Sequence, residues 1–221
     1  SCSARLPVYM LFVGAFFAEQ KAIVMLSLYV IGILLSIVFA WGMQHMPAFR
    51  QPKHDYVSEL PPYRRPTLRN TGLHIWERVA DYLQKIPAVI IWASVIIWAL
   101  TYFPTGSMEN MEASYLATIG HWIEPVMRPL GFDWKMSVCL LTGLPAKEAI
   151  VSTMGILYPS DAALSAFTPL TAYAFMTFVL LYFPCVATIT TLRKELGRKW
   201  AWFSLVQSMV LAWVVSFMIY Q

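Results

Sequence analysis

Long apolar runs free of Asp, Glu, Lys and Arg alternate along this chain with short basic loops. Ala22–Gly42 is the clearest run, 21 uncharged residues; at about 1.5 Å rise each, a helix of that length matches the ~30 Å hydrocarbon core of a bilayer. Pro87–Phe103 is shorter, 17 uncharged residues with Trp92 and Trp98 inside it, and Ala201–Tyr220 is equally clean. Leu170–Leu192 carries Pro184 in its second half, and Met136–Tyr158 is interrupted by Gly143, Pro145, Lys147 and Glu148. Leu6–Phe17 is apolar but too short to cross alone. Thr67–Ile86 has another pattern: Trp76, Val79, Ala80, Leu83 and Ile86 recur at helical spacing, with Arg78, Asp81 and Lys85 opposite. That predicts an amphipathic helix, lying on a membrane surface or packed on another domain. Pro47–Pro66 holds five prolines and reads as an extended linker.

Composition agrees with a membrane solvent. Apolar residues make up 58% of the 221 and charged residues 13%, about half the share a soluble domain carries. Aromatic residues, at 15%, suit belts at two lipid–water interfaces. Three cysteines do not make a disulfide scaffold. The net charge of +4 sits in loops, so it speaks of topology and not of nucleic acid. The chain opens on Ser1-Cys2-Ser3, apparently inside an element, and is expected to be part of a longer protein.

Basic residues then assign the sides. Seven lie between Met43 and Ile86 (Arg50, Lys53, Arg64, Arg65, Arg69, Arg78, Lys85) and four between Leu192 and Lys199. Only Arg128 falls between Pro104 and Trp134, and none between Pro159 and Thr168. If Met136–Tyr158 crossed fully, the second basic loop would face outward, against the positive-inside rule. If it is re-entrant, both basic loops are cytoplasmic, which is the expectation adopted. The predicted fold is an all-α polytopic membrane protein, a helical bundle with broken or re-entrant helices.

Candidate chemistry gathers where proline and polar groups interrupt the apolar runs: Ser1–Pro7, Gly143–Glu148 and Phe183–Thr188. A proline inside a helix removes one N–H and displaces the carbonyl four residues back, here Ser3, Leu141 and Leu180. In hydrocarbon such carbonyls survive only in protein or facing a wet cavity, as in the discontinuous helices of transporters; the alternative is a simple kink. Lys147 and Glu148 are costly at membrane depth, and adjacent helical residues point about 100° apart, so each needs its own partner. Cys2, three residues from Arg5, and Cys185, directly after Pro184, supply thiols; thiolate with carboxylate suits a borderline metal such as Fe(II). Cys139 has no break beside it and reads as core filler. His45, His54, His74 and His121 have no ligand spacing. Ser152, Thr153 and Thr188 could instead hydrogen-bond an organic solute, and a non-transporting structural subunit is the third reading.

SCSARLPVY at 1–9, ELPPYRRPTLRN at 59–70, GLPAKEAIVSTMGILY at 143–158 and FPCVATI at 183–189 resemble the ferrous iron transport protein B family, FeoB, along essentially the whole chain. The resemblance implies the C-terminal part of the membrane domain. Residues 1–46 would be the end of a first Gate region and a transmembrane helix, and 47–86 a cytoplasmic linker and surface helix. Residues 87–192 would be the second Gate domain, with a broken or re-entrant segment at 136–158, and 193–221 the last transmembrane helix. It implies Fe(II) uptake across the bacterial cytoplasmic (inner) membrane, with Cys2, Glu148 and Cys185 lining the metal path and Ser3, Lys147, Ser152 and Thr188 as secondary positions. It further implies an upstream G domain carrying GTP and Mg, an upstream first Gate domain, small cytoplasmic accessory proteins, and homo-oligomer formation. The chain has no GxxxxGK[ST] phosphate cradle, so it is not expected to be the GTPase itself.

Overall fold

The computed structural model describes residues 2–45, 67–103, 114–144, 147–158 and 167–221. The linker at 47–66, the loops at 104–113 and 159–166, and Pro145 lie outside the described residues, as do Ser1 and His54. Among the described residues the regular structure is entirely helical: a 3₁₀ turn Ser3–Arg5, then α1 (Leu6–Phe16), α2 (Lys21–Gln44), α3 (Leu68–Tyr102), α4 (Tyr115–Met127), a second 3₁₀ turn Arg128–Leu130, α5 (Trp134–Thr142), α6 (Ala149–Leu157), α7 (Pro169–Leu181), α8 (Val186–Glu195) and α9 (Arg198–Tyr220).

The apolar runs become helices, with one change of boundary. The amphipathic segment at 67–86 and the apolar run at 87–103 form one unbroken helix, α3, where two elements were expected. A proline ring holds the φ that a helix needs and removes one hydrogen bond, and at Pro87 that does not end the helix. Among the described residues two helices are long and apolar enough to cross a membrane, α2 and α9, and only 11% of each apolar window is buried. Their outward residues are large hydrophobics, Ile23, Leu26, Ile37 and Val38 on α2 and Val206, Val210 and Met218 on α9.

The core forms around α7. Thr171, Ala172 and Ala174–Leu180 are all buried, as expected for a helix apolar on every side. Helices α1, α2 and α9 pack around it. Phe12, Phe132, Phe175 and Phe178 stack edge-on or tilted about it with centroids 5.2–5.7 Å apart, and the Ser216 hydroxyl of α9 donates to the Ala174 carbonyl at 3.2 Å. Cys139 is fully buried in this core, as expected of a filler.

Helices α5 and α6 pack against each other as a hairpin. The Asp133 carboxylate caps α5 by accepting from Met136 N–H at 2.8 Å, and the Tyr158 hydroxyl at the end of α6 donates to both of its oxygens at 2.6 Å. A straight helix would hold those two residues, 25 apart in sequence, about 37 Å from each other. Near the turn the Thr153 hydroxyl donates to Thr142 Oγ1 at 3.0 Å. The two ends of the segment, Asp133 and Tyr158, thus meet. Asp133→Ala should therefore cost about 2–4 kcal/mol, a lost helix cap plus an orphaned hydroxyl, and Tyr158→Phe less. Thermal unfolding of the purified protein measures both, and equal losses would remove the cap from the account.

Candidate functional site

Each of the three interruptions falls between helices. At the first, Arg5 N–H donates to the Cys2 carbonyl at 3.1 Å in the 3₁₀ turn. Pro7 follows in the first turn of α1, where a missing N–H leaves nothing unbonded. It starts a helix; the expected displacement of the Ser3 carbonyl within one does not arise. At the second, α5 closes with Gly143 N–H on the Cys139 carbonyl and Leu144 N–H on the Leu141 carbonyl, both at 3.1 Å. The Leu141 carbonyl, expected to be free, is thus bonded within a tight turn. At the third, α7 ends with Tyr182 N–H on the Phe178 carbonyl at 2.8 Å. Tyr182 and Cys185 are extended, so Pro184 lies in a linker and not inside a helix, and α8 starts anew.

The three interruptions meet. Lys147, at the hairpin turn, is only 5% exposed, and its ammonium sits 4.7 Å from the centroid of the Tyr182 ring, a cation–π arrangement. The Tyr182 hydroxyl lies against Gly143, where a Cβ would be 2.6 Å from it. Helix α1, which begins at the first interruption, packs against both α6 and α7. Lys147 and Tyr182 therefore join the α5–α6 turn to the α7–α8 linker in one neighbourhood, with α1 and its opening residues, Arg5 to Tyr9, alongside.

Its polar atoms are unusual in being unspent. Arg5 Nε, Tyr9 Oη, Lys147 Nζ and Tyr182 Oη are all buried without a hydrogen-bond partner, a condition rare in native interiors.

The residues singled out from the sequence divide into a buried and an exposed set. Lys147, a secondary candidate, is buried, and so is Thr153. Cys2, Glu148, Cys185, Ser152 and Thr188 are exposed. Cys185 Sγ lies 3.1 Å from Thr188 Oγ1, one turn on, whereas the Ser3 side chain is outside the described residues. Neighbouring positions diverge in direction, so burying Lys147 turns Glu148 outward. Among the described residues no three His, Cys, Asp or Glu side chains converge to hold a metal ion. Of the histidines, His45 bonds the Trp41 carbonyl at 2.8 Å and His121 pairs with Glu124 at 3.1 Å, both exposed. Tyr9 and Tyr182 escaped the sequence reading, although each stands two residues from a proline at a break, which is the signal that could have found them.

The Gate family model, described as "Nucleoside recognition", matches residues 83–199, and the model described as "Ferrous iron transport protein B C terminus" matches 25–78. The chain is 39% identical to a Fe(2+) transport protein A/Fe(2+) transporter FeoB fusion protein of Porphyromonas gingivalis, over 100% of this chain and 33% of the relative. It is 41% identical to the Fe(2+) transporter FeoB of Staphylococcus aureus (100% and 34%) and 38% to that of Methanocaldococcus jannaschii (99% and 35%). It thus spans about a third of the length of these curated relatives. No solved structure matches. The Gate match, the iron-transport match and identity along the whole chain agree with the motifs at the three breaks: the chain belongs to the FeoB family and is the C-terminal membrane region of such a protein.

Proposed function

We propose that this chain is the permease portion of a GTP-dependent Fe(II) uptake transporter in the bacterial cytoplasmic membrane, a multi-pass helical protein whose ion path runs where the three helix breaks meet. The carrying observation is the contact of Lys147 at the second break with the Tyr182 ring at the third, 4.7 Å away, with α1, which opens at the first break, packed against both α6 and α7. The hairpin fits the role. Nine-residue α5 is about 13 Å long, so a re-entrant α5–α6 unit carries its turn roughly halfway into a ~30 Å core. Both basic loops are then cytoplasmic.

The ion takes its ligands from the exposed atoms at the breaks, the Cys2 and Cys185 thiolates and the Glu148 carboxylate, with Ser3, Ser152 and Thr188 as further oxygen donors. Lys147 stays out of the coordination: a divalent ion 4 Å from an ammonium would be repelled by roughly 8 kcal/mol at an effective dielectric of about 20. Several weak ligands along a path, in place of one closed cage, allow release as well as entry. GTP and Mg act through a G domain outside this chain, and the fusion partner in the Porphyromonas relative supports a small accessory protein on the cytoplasmic side. A homo-oligomer is consistent with the wide apolar faces of α2 and α9.

Ferrous influx into liposomes holding the full-length protein tests the path. Cys185→Ser and Glu148→Gln should each slow uptake about tenfold, equivalent to ~1.4 kcal/mol of lost ion coordination. Wild-type rates at equal protein would take both residues off the path. A second reading, transport of an organic solute, is favoured by the nucleoside-recognition description of the Gate match; nucleosides that compete with ferrous uptake would support it.

A further inference from the structure

We infer that Arg5, Tyr9, Lys147 and Tyr182 form a binding site for a small monovalent anion, a halide or a carboxylate. All four present hydrogen-bond donors, and one buried atom of each is unpartnered. Two of the four carry positive charge, and among the described residues no carboxylate forms an ion pair with either. The acid next in sequence, Glu148, is exposed. Other buried cations in proteins are paired or hydrogen-bonded; here the ammonium has only the face of an aromatic ring, 4.7 Å away.

Geometry limits the occupant. Gly143 lets the Tyr182 hydroxyl approach the hairpin turn, and Tyr9 stands one helical turn beyond Arg5 on the same side of the chain. The donors therefore come from three different breaks, and an anion held among them would tie the start of α1, the α5–α6 turn and the α7–α8 linker together. An anion there also offsets two fixed positive charges beside the thiols, which a passing cation would otherwise meet. The site does not depend on iron being the cargo, so its test can fail or succeed independently of ferrous uptake.

Thermal unfolding of the full-length protein in lipid nanodiscs, at constant ionic strength, reads the site. Sodium chloride and sodium acetate are titrated against sodium gluconate, whose bulky anion serves as the reference. The wild-type melting temperature should rise saturably with chloride or acetate. Lys147→Met, which removes the unpaired charge, should be at least as stable as wild type in gluconate and should lose the anion-dependent rise. Tyr182→Phe, a milder change that keeps the ring beneath Lys147, should shift the midpoint of the chloride titration upward severalfold even if Lys147→Met fails to fold. A wild-type curve indifferent to both anions, or an equal rise in the variants, overturns the site.

Discussion

Gly143→Val is expected to abolish ferrous uptake and to lower the melting temperature of the protein sharply. The backbone at Gly143 has an ordinary helical conformation (φ −75, ψ −5), so any residue could adopt it. Space forbids one: a Cβ would lie 2.5 Å from Ile150 Cγ1 and 2.6 Å from both Ile150 Cδ1 and Tyr182 Oη. Ile150 and Tyr182 are themselves at 0% and 2% exposure, so neither has room to yield. Overpacking of this kind costs about 1–3 kcal/mol for a small insertion, and valine adds three carbons. The displaced groups are the wall of α6 behind the turn and the ring beneath Lys147, so transport should fall further than stability does. Gly143→Ala should show the same ordering with smaller losses. A Gly143→Val protein melting like wild type would mean that the hairpin does not close on Tyr182 as described.

Gly131→Val should destabilise by about 2–5 kcal/mol, combining a left-handed backbone penalty with overpacking. Gly131 follows the second 3₁₀ turn with φ +75, and its open side is filled by the ring of Tyr220 at the end of α9. The last membrane-length helix is thus seated on the junction of α4 and α5, where Trp213 Nε1 also donates to the Val126 carbonyl at 2.9 Å. Gly155 supplies the control. It lies in α6 with nothing within 4 Å of where a Cβ would stand, so Gly155→Ala should gain roughly 0.5–1 kcal/mol from backbone entropy. Thermal melts of both variants decide it; a Gly131→Val protein no less stable than Gly155→Ala would detach Tyr220 from this role.

Local chemistry was legible wherever a helix is decided by its own residues. The uncharged run at 22–42 became α2 and that at 201–220 became α9, because composition and length suffice to specify them. The breaks at 143–148 and 183–185 were visible for the same reason: Gly and Pro act on the backbone at their own positions. The fate of the freed carbonyls was not visible. Leu141 is satisfied by a local turn, and Pro7 begins a helix, since proline's effect depends on where the helix starts and the sequence does not mark that start. The continuity of α3 across Pro87 was hidden likewise.

The candidate site separates the two levels further. Periodicity could say that Lys147 and Glu148 diverge, yet not which of them turns inward; the answer is set by Tyr182, 35 positions on, whose ring receives the ammonium. The sequence by itself determined a helical, lipid-suited chain, its family, and the positions of its interruptions, because these rest on composition, period and local backbone chemistry. Only the tertiary structure decided that Asp133 and Tyr158 touch, that the segment between them doubles back, and that Lys147 meets the ring of Tyr182, because contacts between distant segments are fixed by how helices pack and carry no local mark.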